Sequence, residues 1–130
     1  MRLILVRHAH SDPGEPDELR PLSRRGHDEA RVLAERLAPI GPDAVLTSPL
    51  LRARETAAAI AKVAGIELRV DDRLAPGASA EDVLEAAGEG GEDATVVVVG
   101  HQPDCSEIAL ALGAGEVDFP PAGFAEIALP

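Results

Sequence analysis

Apolar positions fall along this chain in two alternating rhythms. Leu3-Ile4-Leu5-Val6, Ala44-Val45-Leu46 and Val96-Val97-Val98-Val99 are short runs with no polar member, the pattern of strands buried on both faces. Between them, small apolar residues recur every three or four positions. Ala30, Leu33, Ala34 and Leu37 form one such stripe, and Ala53, Ala57, Ile60, Ala61 and Ala64 form another, each flanked by charge. These are helices that lay one face on a sheet.

Turn chemistry sets the expected boundaries. A strand over residues 2 to 7 precedes a polar loop over 8 to 22 holding Pro13, Gly14, Pro16 and Pro21, after which Ser23 caps a helix ended by Pro39, Gly41 and Pro42. A strand over Asp43–Thr47 follows. Ser48-Pro49 reads as an N-cap with proline in the first helical position, and Gly65 closes that helix. A short strand over Ile66–Val70 and a loop over Asp72–Ala78 lead to a helix opening at Ser79-Ala80-Glu81-Asp82 and broken by Gly88, Gly90 and Gly91. Thr95–Val99 is the expected central strand. A helix from about Pro103 to Leu112 stops at Gly113, and residues 122 to 129 form a last strand after Pro120-Pro121.

Strands alternating with helices imply an α/β fold: one three-layer domain over residues 1–130, with a mainly parallel central sheet and helices on both faces. The 45% of apolar residues is normal for a globular domain, but the only aromatics are Phe119 and Phe124, so the core is aliphatic. A net charge of -11 argues against a nucleic-acid surface, which needs a basic patch. Of the 12 basic residues only Lys62 is not Arg. That bias suits bidentate recognition of phosphate or carboxylate, and GC-rich coding accounts for it equally well.

Cys105 is the only cysteine, which excludes an internal disulfide and fits a reduced, cytoplasmic setting. Ala111, not an arginine, stands six positions later, so the thiolate-loop phosphatase pattern is missing. Met1 runs directly into the first strand with no basic n-region or long apolar segment, and neither an export signal nor a membrane partner is expected.

The chemistry concentrates where strands stop. Arg7-His8-Ala9 follows the first apolar run, and Gly100-His101-Gln102-Pro103 follows the valine run. In open α/β sheets ligands bind beyond the carboxyl ends of the strands, so two imidazoles and an arginine delivered there are placed for chemistry. Arg52, in the first turn of the helix after Thr47, adds a guanidinium to a helix N-terminus that already favours anions. Taken singly, each histidine is equally a satisfied residue at a strand end, and Arg52 equally a surface ion-pair partner.

Taken together, Leu5-Val6-Arg7-His8-Ala9, then Thr47-Ser48-Pro49 with Arg52-Ala53 and Thr56-Ala57, then Val99-Gly100-His101-Gln102-Pro103 resemble the histidine phosphatase superfamily. The short length, Leu19-Arg20-Pro21-Leu22-Ser23 and Gly26 are similar to its SixA-type phosphohistidine phosphatases. The resemblance implies that His8 is the nucleophile, forming a phosphohistidine that water hydrolyses. Arg7, Arg52 and His101 would hold the non-bridging oxygens, Arg20 would touch substrate, and neither metal nor other cofactor would be needed. The implied partner is a phosphohistidine-bearing protein or a small phosphorylated metabolite.

Two departures from the superfamily pattern matter. Ala9 replaces the usual glycine after the nucleophile, a substitution that costs energy only if φ is positive. Pro76 stands in the slot where many members carry a glutamate proton donor, leaving Glu81, Asp82 or Asp12 as possible replacements. Without a general acid, worth about 10² to 10⁴-fold, an alkoxide leaves slowly whereas an imidazole does not, which favours phosphohistidine as substrate. Short connections likewise imply a shallow, open pocket.

Four other readings compete. A small-molecule phosphomonoesterase would use the same residues, a mutase would need a more closed site, and a non-catalytic phosphate-binding module would keep the pocket without turnover. A metal hydrolase would use His8, His10, His101 and Asp12 as ligands.

Overall fold

The computed structural model describes residues 1–130, with nine regular elements in strict alternation until the end. They are β1 (Arg2–Arg7), α1 (Arg24–Leu37), β2 (Ala44–Thr47), α2 (Leu51–Ala64), β3 (Leu68–Val70), α3 (Ala80–Gly88), β4 (Thr95–Gly100), α4 (Asp104–Ala111) and β5 (Phe124–Ala128). The sheet order is β3-β2-β4-β1-β5. The valine strand β4 is central, as its unbroken apolar run requires. Val97 stands opposite both Ile4 of β1 and Val45 of β2 in parallel register.

Strand periodicity divides the core in two. Ile4, Val6, Val45, Val97 and Val99 face α1 and α2, meeting Leu33, Leu37, Ala57 and Ile60. Leu3, Leu5, Leu46, Val96 and Val98 face the other way, onto Val83 of α3, Ile108 of α4 and Phe119. The chain therefore leaves β1 toward one face of the sheet and leaves β4, its neighbour, toward the other. That divergence is a topological switch point, where an open α/β sheet forms its crevice.

Several boundaries differ from the sequence-based expectation. The last strand pairs antiparallel with β1, so the sheet is parallel only across four of its five strands. Ser48 does not cap α2: the helix starts at Leu51 with Leu50 as N-cap, and no side chain caps it. Ser48 Oγ receives only a long 3.3 Å bond from Leu50 N and spends its better geometry on His101. Pro103 is the N-cap of α4 and not its first helical residue, β3 is three residues long, and Ala64 is only half-buried.

The loop over residues 8–22 also carries structure, with a bridge between Ser11 and Leu22 and one 3₁₀ turn over Asp17–Leu19. No helix is long and apolar enough to cross a membrane.

Candidate active site

Register places the two histidines side by side. Arg7 and Gly100 are partners at the ends of β1 and β4, and the next residue's His8 N–H donates to Gly100 O at 3.0 Å. The two imidazole centroids lie 5.2 Å apart, tilted by 58°. Arg7 Nη1 donates to Phe119 O at 2.9 Å, which anchors its guanidinium, while its buried Nε has no partner within the protein.

His8 Nδ1 lies 2.7 Å from Ala9 O. A carbonyl only accepts, so Nδ1 carries the proton and Nε2 keeps a bare lone pair. Burial above all, followed by the positive fields of Arg52, Arg7 and Arg20, lowers the His8 pKa to about 4 despite the opposing Ala9 bond. The imidazole is therefore neutral at pH 7 and has the form of a nucleophile. Ala9 itself is harmless, because Ala122 is the only residue other than glycine with positive φ. The Ala9 amide donates to buried Thr56 Oγ1 at 3.0 Å, and Thr56 Oγ1 donates to Arg52 O at 2.8 Å. One threonine thus ties the nucleophile's loop to the helix turn that carries Arg52.

Arg52 is 8% exposed and reaches the 3₁₀ turn, donating from Nη1 to Asp17 O at 2.9 Å and from Nη2 to Asp17 Oδ2 at 3.2 Å. Arg20 holds the other carboxylate oxygen of Asp17 at 3.0 Å and also donates to Asp12 O and Ser11 Oγ. Hydrogen bonds from Arg20 and then Arg52 keep the Asp17 carboxyl below the usual carboxylate range. His101, 5% exposed, has its Nε2 2.7 Å from Ser48 Oγ. Burial, reinforced by His8 and Arg52 and opposed by Asp17, lowers its pKa to about 4.

Arg7, His8, Arg52 and His101 thus converge at the carboxyl edge of the sheet, with Arg20 joined to Arg52 through Asp17. The acids considered as proton donors do not join them as a set. Asp82 Oδ2 accepts from Ser79 N and Ser79 Oγ in a capping box, which holds its carboxyl below the usual range. Glu81 and Asp12 are exposed. The loop with Pro76 is tied to α4, Gly77 N donating to Asp104 Oδ2 at 2.8 Å. His10 turns its Nδ1 to Ser23 Oγ at 2.6 Å, and the four residues of the metal-ligand reading form no cluster.

Three residues escaped the sequence reading of the site. Asp17 sat in a loop with no local signal beyond its distance of three from Arg20. Thr56 lies within the motif that resembles the superfamily but shows no chemical task in the sequence, and Ser48 reads there as a helix cap. A buried hydroxyl at a strand's carboxyl end, beside a proline that cannot donate, is the signal that would have singled out Ser48.

Two mutually close neutral imidazoles, one with a bare nitrogen, stand among arginines at a switch point, an arrangement suited to an anionic ligand. A family model described as "Histidine phosphatase superfamily (branch 1)" matches residues 3–76, and the chain belongs to that superfamily. It is 38% identical over 125 residues to an uncharacterized protein of Picosynechococcus sp., covering 89% of this chain and 75% of that one. A phosphoserine phosphatase of Hydrogenobacter thermophilus is 36% identical over 83 residues, 57% of this chain but 37% of that enzyme. The solved structure of the protein histidine phosphatase SixA with tungstate superposes with a TM-score of 0.88 at 25% identity, covering 99% of this chain and 88% of that one. The fold is of the SixA type, and the protein is a phosphatase of this superfamily.

Proposed function

We propose that the chain removes phosphate from phosphohistidine on another protein, through a phosphohistidine of its own at His8. The carrying observation is the 2.7 Å contact of His8 Nδ1 with Ala9 O, which leaves Nε2 unprotonated among Arg7, Arg52 and His101. His8 Nε2 attacks phosphorus in line, the substrate P–N bond breaks, and the departing imidazole takes its proton from water. Water then attacks the phosphorus of phospho-His8, the Nε2–P bond breaks, and inorganic phosphate leaves. Arg7, Arg52 and His101 stabilise the three equatorial oxygens, and Arg20 meets the phosphoryl group or its carrier once Asp17 yields. No step calls for a metal.

The acid inventory supports this substrate class. Asp17, the carboxylate bonded to Arg52, is ionised and gripped by two arginines, so it is a poor proton donor. A phosphoramidate tolerates this best because its leaving group is an imidazole. The likeness to SixA supports the same reading.

A small phosphorylated metabolite is the second reading, favoured by the likeness to a phosphoserine phosphatase. Rates on substituted aryl phosphates, phosphoserine and a phosphohistidine protein decide between them. Steep acceleration with leaving-group acidity and poor turnover of alkyl esters is expected. A flat dependence, with phosphoserine as fast as phosphohistidine while chemistry limits the rate, would show that a proton donor operates and would favour the metabolite.

A further inference from the structure

The hydroxyl of Ser48 decides which nitrogen of His101 carries a proton. Ser48 is fully buried at the end of β2, with its Oγ 2.7 Å from His101 Nε2. The same oxygen accepts Leu50 N–H at 3.3 Å. A hydroxyl has one proton to give, and a neutral imidazole has one donor and one acceptor nitrogen. With Leu50 on one lone pair, the Ser48 proton needs an acceptor, and His101 Nε2 is the acceptor at hand. Were Nε2 protonated instead, a buried O–H would be left with none, an arrangement that folded proteins avoid.

The Ser48 O–H therefore donates to His101 Nε2, and the imidazole proton resides on Nδ1. That nitrogen is itself buried and has no partner within the protein. A buried N–H that no protein group accepts, on a ring 5.2 Å from the His8 ring, is a donor available to a ligand oxygen.

We propose that Ser48 is a positioning residue that holds His101 as the Nδ1–H tautomer, so that Nδ1–H donates to a phosphoryl oxygen. This rests on His101 as an oxygen-binding donor in the proposed reaction. The opposite tautomer would present a lone pair to an anionic oxygen and turn attraction into repulsion, which gives the hydroxyl a chemical task beyond packing.

Long-range proton–nitrogen correlation on ¹⁵N-labelled protein at neutral pH reads the tautomer directly. The expected result is a protonated Nδ1 and a bare Nε2 at His101 in the native protein. Ser48→Ala should shift the ring toward Nε2–H and lower kcat by about 10-fold or more with a smaller change in KM, part of the loss expected for one oxyanion donor. Ser48→Thr should restore both the tautomer and the rate. A native His101 protonated on Nε2 overturns the proposal even if Ser48→Ala fails to fold, and so does a Ser48→Ala protein with unchanged tautomer and rate. If the native protein shows Nδ1–H but hydrolyses no phosphoryl compound, the tautomer assignment stands, while the proposed reaction and the donor task fall.

Discussion

Asp17 holds Arg52 by two separate bonds: its backbone oxygen accepts Nη1 at 2.9 Å, and its carboxylate accepts Nη2 at 3.2 Å. The first orients the guanidinium whatever side chain stands at position 17. The second, with Arg20 on the other carboxylate oxygen, puts an internal anion on arginines that an oxyanion would use.

Asp17→Asn should therefore bind inorganic phosphate or vanadate several-fold more tightly, because the incoming anion no longer competes with a charged carboxylate. The gain should shrink as salt rises, since the side chain is largely exposed. Inhibition constants at two ionic strengths test this. Weaker binding would mean that the carboxylate positions Arg52 rather than opposing the ligand.

His8→Ala should abolish turnover and the phosphoenzyme together, because it removes the atom that becomes phosphorylated. Arg52→Ala and His101→Ala should each lose about 10² to 10³-fold in kcat while still labelling slowly, the scale for one oxyanion donor. Arg52→Lys should recover little of this, since an ammonium cannot reproduce the two-pronged contact. Rapid-quench labelling with radioactive phosphate distinguishes the cases. Phosphoenzyme in His8→Ala would move the nucleophile elsewhere.

Burial lowers the pKa of both site histidines in the folded chain from the ordinary 6.5 to about 4. Rate should not vary with the ionisation of His8 around neutral pH and should fall as pH drops through about 4, where Nε2 gains a proton. For stability, the unfolded chain holds more protons than the folded one between these values, so stability rises with pH across that window. The contribution is fully present above about 6.5 and lost by about 4. Urea midpoints between pH 4.5 and 7 should show this slope, and His101→Asn should flatten it. An unchanged slope in that variant would assign the dependence to other groups.

Chelation should leave activity unchanged. The residues that the metal reading needs, His8, His10, His101 and Asp12, form no cluster. Loss of activity in EDTA with recovery on adding zinc or magnesium would contradict this.

Gly26→Ala should destabilise the chain by about 1 to 3 kcal/mol, the usual cost of overpacking. A Cβ there would collide with the His10 carbonyl oxygen, where α1 meets the loop that follows the nucleophile. Because that backbone cannot retreat without dragging His8, kcat should fall as well. Urea unfolding and steady-state kinetics on one preparation check both effects.

Sequence alone determined the elements and the meeting of the main functional groups. Periodicity separates strands from helices locally, and Arg7, His8 and His101 are placed by directly following apolar runs that can only be buried strands. Arg52 is placed by its position in a helix's first turn. Strand order was beyond reach, since inserting β4 between β1 and β2 and reversing β5 depend on pairings between distant segments. The polar partners were beyond reach for the same reason. Ser48 meets His101 across 53 positions of chain, and Asp17 meets Arg52 across 35. A hydroxyl or carboxylate bonds to whatever the fold brings within 3 Å, and no local pattern records that neighbour. The sequence thus named the groups that meet at the carboxyl edge of the sheet, whereas the tertiary structure decided which polar partners each of them has.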